Sequence, residues 1–153
     1  MIPVLTIPKA FSLLPIKMNS PEAAVLISAI GLQESDWIYR QQIGGPAHSF
    51  MMFEEGGIRA LMSNLMTEQY VSDLCDHFGI AFSVDSIYSE ILENDVLAIA
   101  LGRLLLYADP RPLPLIGDQS GAWNYYLANW QPGKPRPQDW PGNYHEAVMA
   151  WTS

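Results

Sequence analysis

Ser20-Pro21-Glu22-Ala23-Ala24-Val25-Leu26-Ile27-Ser28-Ala29-Ile30-Gly31-Leu32-Gln33-Glu34-Ser35 is the stretch on which the fold turns. A hydroxyl N-cap, a proline at the first helical position and an acid in the first turn open a helix. Ala23, Ala24, Val25, Leu26, Ile27, Ala29, Ile30 and Leu32 are apolar on nearly every side, which predicts a central helix surrounded by the rest of the domain. The stripe Ala23, Leu26, Ile27, Ile30 continues at i+4 to Glu34, so one carboxylate stands in line with core-facing positions. Partial burial and the negative end of the helix dipole both favour its protonated form, the property a general acid needs. The plainer alternative is a helix that ends in water on a polar residue.

Outward from this helix, residues 36–54 turn aromatic, polar and glycine-rich, and Gly44-Gly45-Pro46 predicts an ordered loop with a small hairpin. Residues 54–64 are weakly helical. Thr67 is read as the cap of a helix with the stripe Tyr70, Val71, Leu74, Cys75 and Phe78, stopped by Gly79. A short helix follows at 85–93. Asn94 caps another at 95–107, with Val96, Leu97, Ala100, Leu101, Leu104 and Leu105 on its buried face. Asp109-Pro110-Arg111-Pro112-Leu113-Pro114 is a rigid connector. A helix carrying Trp123, Tyr126, Leu127 and Trp130, a proline-rich loop at 132–141 and a last helix from Asn143 complete the chain. The expected class is all-α, with a minor β-hairpin admitted and about seven helices around the central one.

The chain has 153 residues, 49% of them hydrophobic and 16% charged, enough for a single core. The domain is read as residues 20–153, preceded by an extended N-terminal arm at 1–19 that carries Pro3, Pro8 and Pro15. A net charge of −8 argues against nucleic-acid binding through phosphates. No stretch approaches the roughly 20 apolar residues of a membrane helix. The apolar N-terminal run, with Lys9 in its middle, makes a poor signal peptide. One cysteine, Cys75, and three separated histidines give no metal-ligand cluster and no intrachain disulfide. Expected cofactors and metals are none.

Ile30-Gly31-Leu32-Gln33-Glu34-Ser35-Asp36-Trp37, then Arg40-Gln41-Gln42 and Gly45-Pro46-Ala47-His48-Ser49-Phe50-Met51-Met52-Phe53-Glu54, resembles the lysozyme-like superfamily, especially the soluble lytic transglycosylase group and related bacteriophage proteins. In that group a helix ends in a catalytic Glu-Ser pair, and a glycine-rich loop forms the opposite wall of a sugar cleft. The resemblance implies a lysozyme-like fold with Glu34 as the catalytic acid, acting on the glycan strand of peptidoglycan. The chain departs from the pattern at Ser49, where members carry glycine, and at Met52, where they carry glutamine.

Leu104 to Tyr107 falls where the family has a helix ending in a tyrosine near the cleft. Ser35, Gln41, Gln42, His48, Ser49, Tyr107 and Tyr125 are the candidate polar contacts to sugar, and Trp123 or Trp37 the candidate stacking surface. Packing or local backbone bonding is the alternative for each. Glu54 is the candidate second carboxylate, with the start of the next helix as its alternative role. The expected reaction is transglycosylation, in which one glutamate serves first as acid and then as base. The charge suits a virion-attached protein, or a domain whose partner brings it to the wall, better than a freely diffusing lysin. The expected location is the virion or the bacterial host cytoplasm, with other virion proteins as partners. A non-catalytic virion structural or assembly protein of the same fold is the second reading.

Overall fold

The computed structural model describes residues 1–152, and among them the regular structure is entirely helical. Eight α-helices run in chain order: α1 (Thr6–Phe11), α2 (Pro21–Ser35), α3 (Glu55–Ser63), α4 (Glu68–Phe78), α5 (Val84–Glu90), α6 (Asp95–Ala108), α7 (Gln119–Trp130) and α8 (Trp140–Thr152). A 3-10 turn at Ile16–Met18 joins the first two.

Helix α2 forms as its sequence dictates. Ser20 caps it by accepting from the Ala23 amide at 3.1 Å, and Asp36, with φ of 57°, ends it in the left-handed region. Twelve of its fifteen residues are buried. Its most extensive neighbour is α8, and α6 lies against it as well. Helix α6 is the second apolar rod: Ala98, Ile99, Ala100, Leu101 and Leu104 are wholly inaccessible. At Gly102 the end of Ile27 comes close to the α6 backbone, within ordinary contact of where a Cβ would stand. Helices α3, α4 and α5 form a layer joined to α6 through α3 and α4. Ile27→Ala is expected to destabilise the protein by about 2–5 kcal/mol, since this side chain is inaccessible at the centre of the core. Urea unfolding at neutral pH measures that loss, and a change below about 1 kcal/mol would contradict the central place given to α2.

Four local expectations change. Residues 1–19 are not an extended arm: α1 packs on α6, and Ile2, Ile7, Ala10, Phe11, Leu14 and Met18 join the common core. Pro8 is compatible with α1 because it stands in the first turn, where an amide has no helical acceptor to lose. The same physics starts α8 at Trp140 rather than Asn143, with Pro141 inside its first turn. Thr67 precedes α4 without capping it; its buried hydroxyl donates instead to Leu61 O at 2.7 Å, tying α3 to α4. The expected hairpin is reduced to two antiparallel bridges, Gln41 with His48 and His48 with Phe53.

Candidate active site around Glu34

Glu34 lies in the last turn of α2, partly buried, while its neighbours Gln33 and Ser35 are fully buried. Its Oε2 accepts from the Tyr126 hydroxyl at 2.6 Å. Its Oε1 has no protein partner and is not closed off from solvent. Burial raises the carboxyl pKa above its ordinary value, against the opposing pull of the Tyr126 hydrogen bond and the Arg136 charge. Burial, and then the Glu34 charge, hold the Tyr126 phenol well above its usual range, so this hydroxyl is a permanent donor. Because Oε2 receives that donor, the acid form of Glu34 carries its own proton on Oε1, the oxygen open to an incoming group.

Helix α7 aims Tyr126 at Glu34 through an aromatic frame. The Tyr126 ring stacks on Trp140 at 5.4 Å and 8°, and Trp123 lies 5.4 Å from both. Trp123, Trp140, Pro137 and Asn124 line a shallow recess of about 180 Å³ beside this frame. The loop after α7 is fastened to the end of α2 from two sides. Arg136 Nη2 donates to Gln33 O, and Gln33 Nε2 donates to Arg136 O at 2.9 Å. Asn143 Nδ2 donates to Gln33 Oε1, also at 2.9 Å. The Arg136 cation thus sits where the free carbonyls of α2 favour positive charge.

Against the end of α7, the loop at 48–53 is a tight closed turn. His48 and Phe53 exchange backbone hydrogen bonds at 2.8 Å, and Trp130 Nε1 donates to Met51 O at 2.9 Å. Ser49 and Met52 both have positive φ, at 74° and 53°. With Asp36 and Trp37, four of the five such non-glycine residues among those described lie between the end of α2 and this turn. Each stores about 1–2 kcal/mol of backbone strain.

The residues proposed from sequence separate into distinct places. Trp123 comes within one ring contact of Tyr126. Gln41 and Gln42 line an open surface hollow with Ile43 to Pro46, and Tyr107 and Tyr125 line a cleft on another part of the surface. Ser35 is consumed internally: its hydroxyl donates to Phe50 O at 2.7 Å and Gly31 O at 3.1 Å, and accepts from the Trp37 amide. Ser49 is wholly inaccessible and accepts from the Met51 amide, so both serines act as loop fasteners rather than sugar contacts. Tyr125 is buried, donating to Leu106 O and Arg111 O. Trp37 is a buried packing residue. His48 stacks on Tyr88 at 3.7 Å with Nδ1 2.9 Å from Tyr88 O. Glu54 is exposed at the start of α3, with no hydrogen bond or ion pair to Glu34.

Tyr126, Arg136 and Gln33 are the residues of this site that the sequence reading did not single out. Trp123, Tyr126 and Trp130 share a helical stripe, which is the signal that α7 presents an aromatic face. Among the described residues no group of three His, Cys, Asp or Glu side chains is arranged to hold a metal. The chain matches no family model, no curated protein and no solved structure with which it was compared.

Proposed function

We propose that this chain cleaves the glycan strand of peptidoglycan as a lytic transglycosylase of lysozyme-like fold, with Glu34 as the catalytic acid. The observation that carries this reading is a carboxyl of raised pKa at the end of the central helix, held by Tyr126 on one oxygen and free on the other. Glu34 Oε1 donates its proton to the bridging oxygen as the bond from that oxygen to the sugar C1 breaks, leaving an oxocarbenium-like centre. The resulting carboxylate then takes the proton of the same sugar's C6 hydroxyl while that oxygen bonds to C1. A 1,6-anhydro ring closes, no water is consumed, and Glu34 returns to its acid form. One carboxylate suffices for this route. Trp123 supplies an aromatic face for a pyranose, and the strained turn at 49–52 is the kind of backbone that clusters at functional sites.

The test is incubation with purified peptidoglycan and separation of the released muropeptides by mass. The expected product is lighter by one water than the product of hydrolysis. A hydrated product would replace transglycosylation by a muramidase reaction. No release from folded protein would favour the second reading, a non-catalytic virion structural or assembly component. That alternative draws on the internal use of Ser35 and Ser49 and on a net charge of −8, which repels an anionic wall.

Tyr126 acts in this scheme as a positioning residue. Tyr126→Phe removes a hydrogen bond that favours the charged carboxylate, so the Glu34 pKa is expected to rise further. The alkaline fall of kcat/KM with pH, which marks loss of the acid form, then moves to higher pH. A fall at unchanged pH with a lower plateau would assign Tyr126 a packing role alone.

A further inference from the structure

We propose that a second cleft, distinct from the Glu34 site, binds the carboxylate of a small apolar molecule through Arg103. The cleft has a volume of about 550 Å³, and Lys17, Arg103, Tyr107, Asp109 and Arg111 are among the residues that line it. Glu34 and Tyr126 are not.

Arg103 lies on α6 and is only 5% exposed. Its Nε donates to Met18 O at 2.7 Å. Its Nη1 is, among the described residues, the one buried side-chain nitrogen or oxygen without a hydrogen-bond partner. Among the described residues no carboxylate forms an ion pair with it: the three ion pairs there join Arg40 to Asp95, Arg111 to Asp109 and Arg136 to Asp139. Asp109, the acid of this cleft that stands on the same chain segment, is committed to Arg111 at 2.6 Å and to Asn129 at 3.0 Å. Burial pushes the Arg103 pKa down, yet a guanidinium keeps its charge at neutral pH. A buried cation without a counter-charge is unfavourable, and an anion brought from outside relieves it.

Charge and shape narrow the ligand. Lys17, Arg103 and Arg111 face Glu22 and Asp109 around the cleft, three cations against two carboxylates, for a net charge of +1. This is a local reversal in a chain of net charge −8. A monoanion matches it; phosphate, carrying more charge, meets two wall carboxylates. A carboxylate also fits the planar fork of a guanidinium. Most of the remaining wall is apolar, and Leu115 and Met66 within it are 73% and 47% exposed, a surface that an alkyl or aryl tail would cover.

Titration of the unaltered protein with sodium hexanoate, hexanol and inorganic phosphate tests this, read by the side-chain N–H resonances of Arg103 in nitrogen-labelled protein. Hexanoate is expected to shift them saturably, with Kd on the order of 1 mM for a ligand of eight non-hydrogen atoms. Hexanol, with the tail and no charge, and phosphate, with charge and no tail, are expected to give no saturable shift. Absence of saturation by hexanoate up to about fifty times that concentration would overturn the proposal, and so would an equal response to hexanol or phosphate. The readout is independent of any activity at Glu34.

Discussion

Replacing Glu34 by glutamine is expected to reduce muropeptide release by about 10²- to 10⁴-fold while making the protein more resistant to heat at pH 8. The first effect follows from removing a proton donor of unchanged size, which forfeits the whole contribution of general acid catalysis. The second follows from linkage. Desolvation, the largest influence on this carboxyl, lifts its pKa in the folded protein above the value near 4.5 of an unperturbed glutamate. A raised pKa contributes stability that is fully present below the unfolded value and is lost as pH rises through the folded one. At pH 8 the wild type therefore holds a charge in a partly dry place, whereas the amide stays neutral and still accepts from Tyr126. The melting temperature of Glu34→Gln should exceed that of wild type at pH 8, and the gap should close towards pH 4. A wild type that melts higher at pH 8 would mean that Tyr126 and Arg136 outweigh burial. Opposite changes in activity and stability from one isosteric substitution are the signature of a strained functional group rather than a structural one.

Gly31→Ala is expected to destabilise the protein by about 3–5 kcal/mol, a fall in melting temperature of roughly 6–20 °C. The sign is the informative part. In an ordinary helix interior the same change stabilises by about 0.5–1 kcal/mol, because glycine has the more flexible backbone. At Gly31 the Trp37 indole lies directly on the helix, and an added Cβ would stand 2.1 Å from Cε2 and Cζ2 of that ring. The ring has no easy retreat. Its Nε1 donates to Ser28 O at 3.0 Å, and its edge meets Phe50 at 5.6 Å. Expelling it removes a buried tryptophan from the wall of the core and frees residues 35–37, which direct Glu34. Thermal unfolding of the variant checks the claim, and a gain in stability would mean that Trp37 is not seated on Gly31. Trp37→Ala combined with Gly31→Ala should cost little more than Trp37→Ala alone, since the two positions share one contact.

The central helix was legible because its evidence is local: a cap, a proline and eight nearly continuous apolar positions within sixteen residues. The same holds for α6, capped by Asn94 through the Leu97 amide at 3.0 Å as the asparagine predicts. Local signals misled where proline has two meanings. Pro8 and Pro141 read as breakers, yet each occupies a first turn, and which meaning applies depends on whether the residues before it hold the start of a helix. The candidate site was legible only in its acid. Glu34 and Tyr126 are 92 residues apart, and nothing in the order of Trp123, Tyr125, Tyr126 and Trp130 says which ring meets the carboxylate. The answer comes from the rotation of α7, fixed by Trp140 behind Tyr126 and by the Trp130 bond to Met51. Ser35 failed as a sugar contact for a related reason: the Phe50 carbonyl that claims its hydroxyl is brought there by the fold, not by sequence.

The dependence of α2 on α8 sets a condition on biosynthesis. About one hundred residues separate the end of α2 from the start of α8, and at 5–20 residues per second a ribosome takes roughly 5–20 s to span them. For that interval a helix with twelve of its fifteen residues destined for burial has left the ribosome without its principal cover. Nascent chains in this window are exposed to aggregation and to chaperone capture. Slow codons placed between these two helices would lengthen the exposure, and soluble yield in cells would then fall with no change in the sequence or stability of the finished protein.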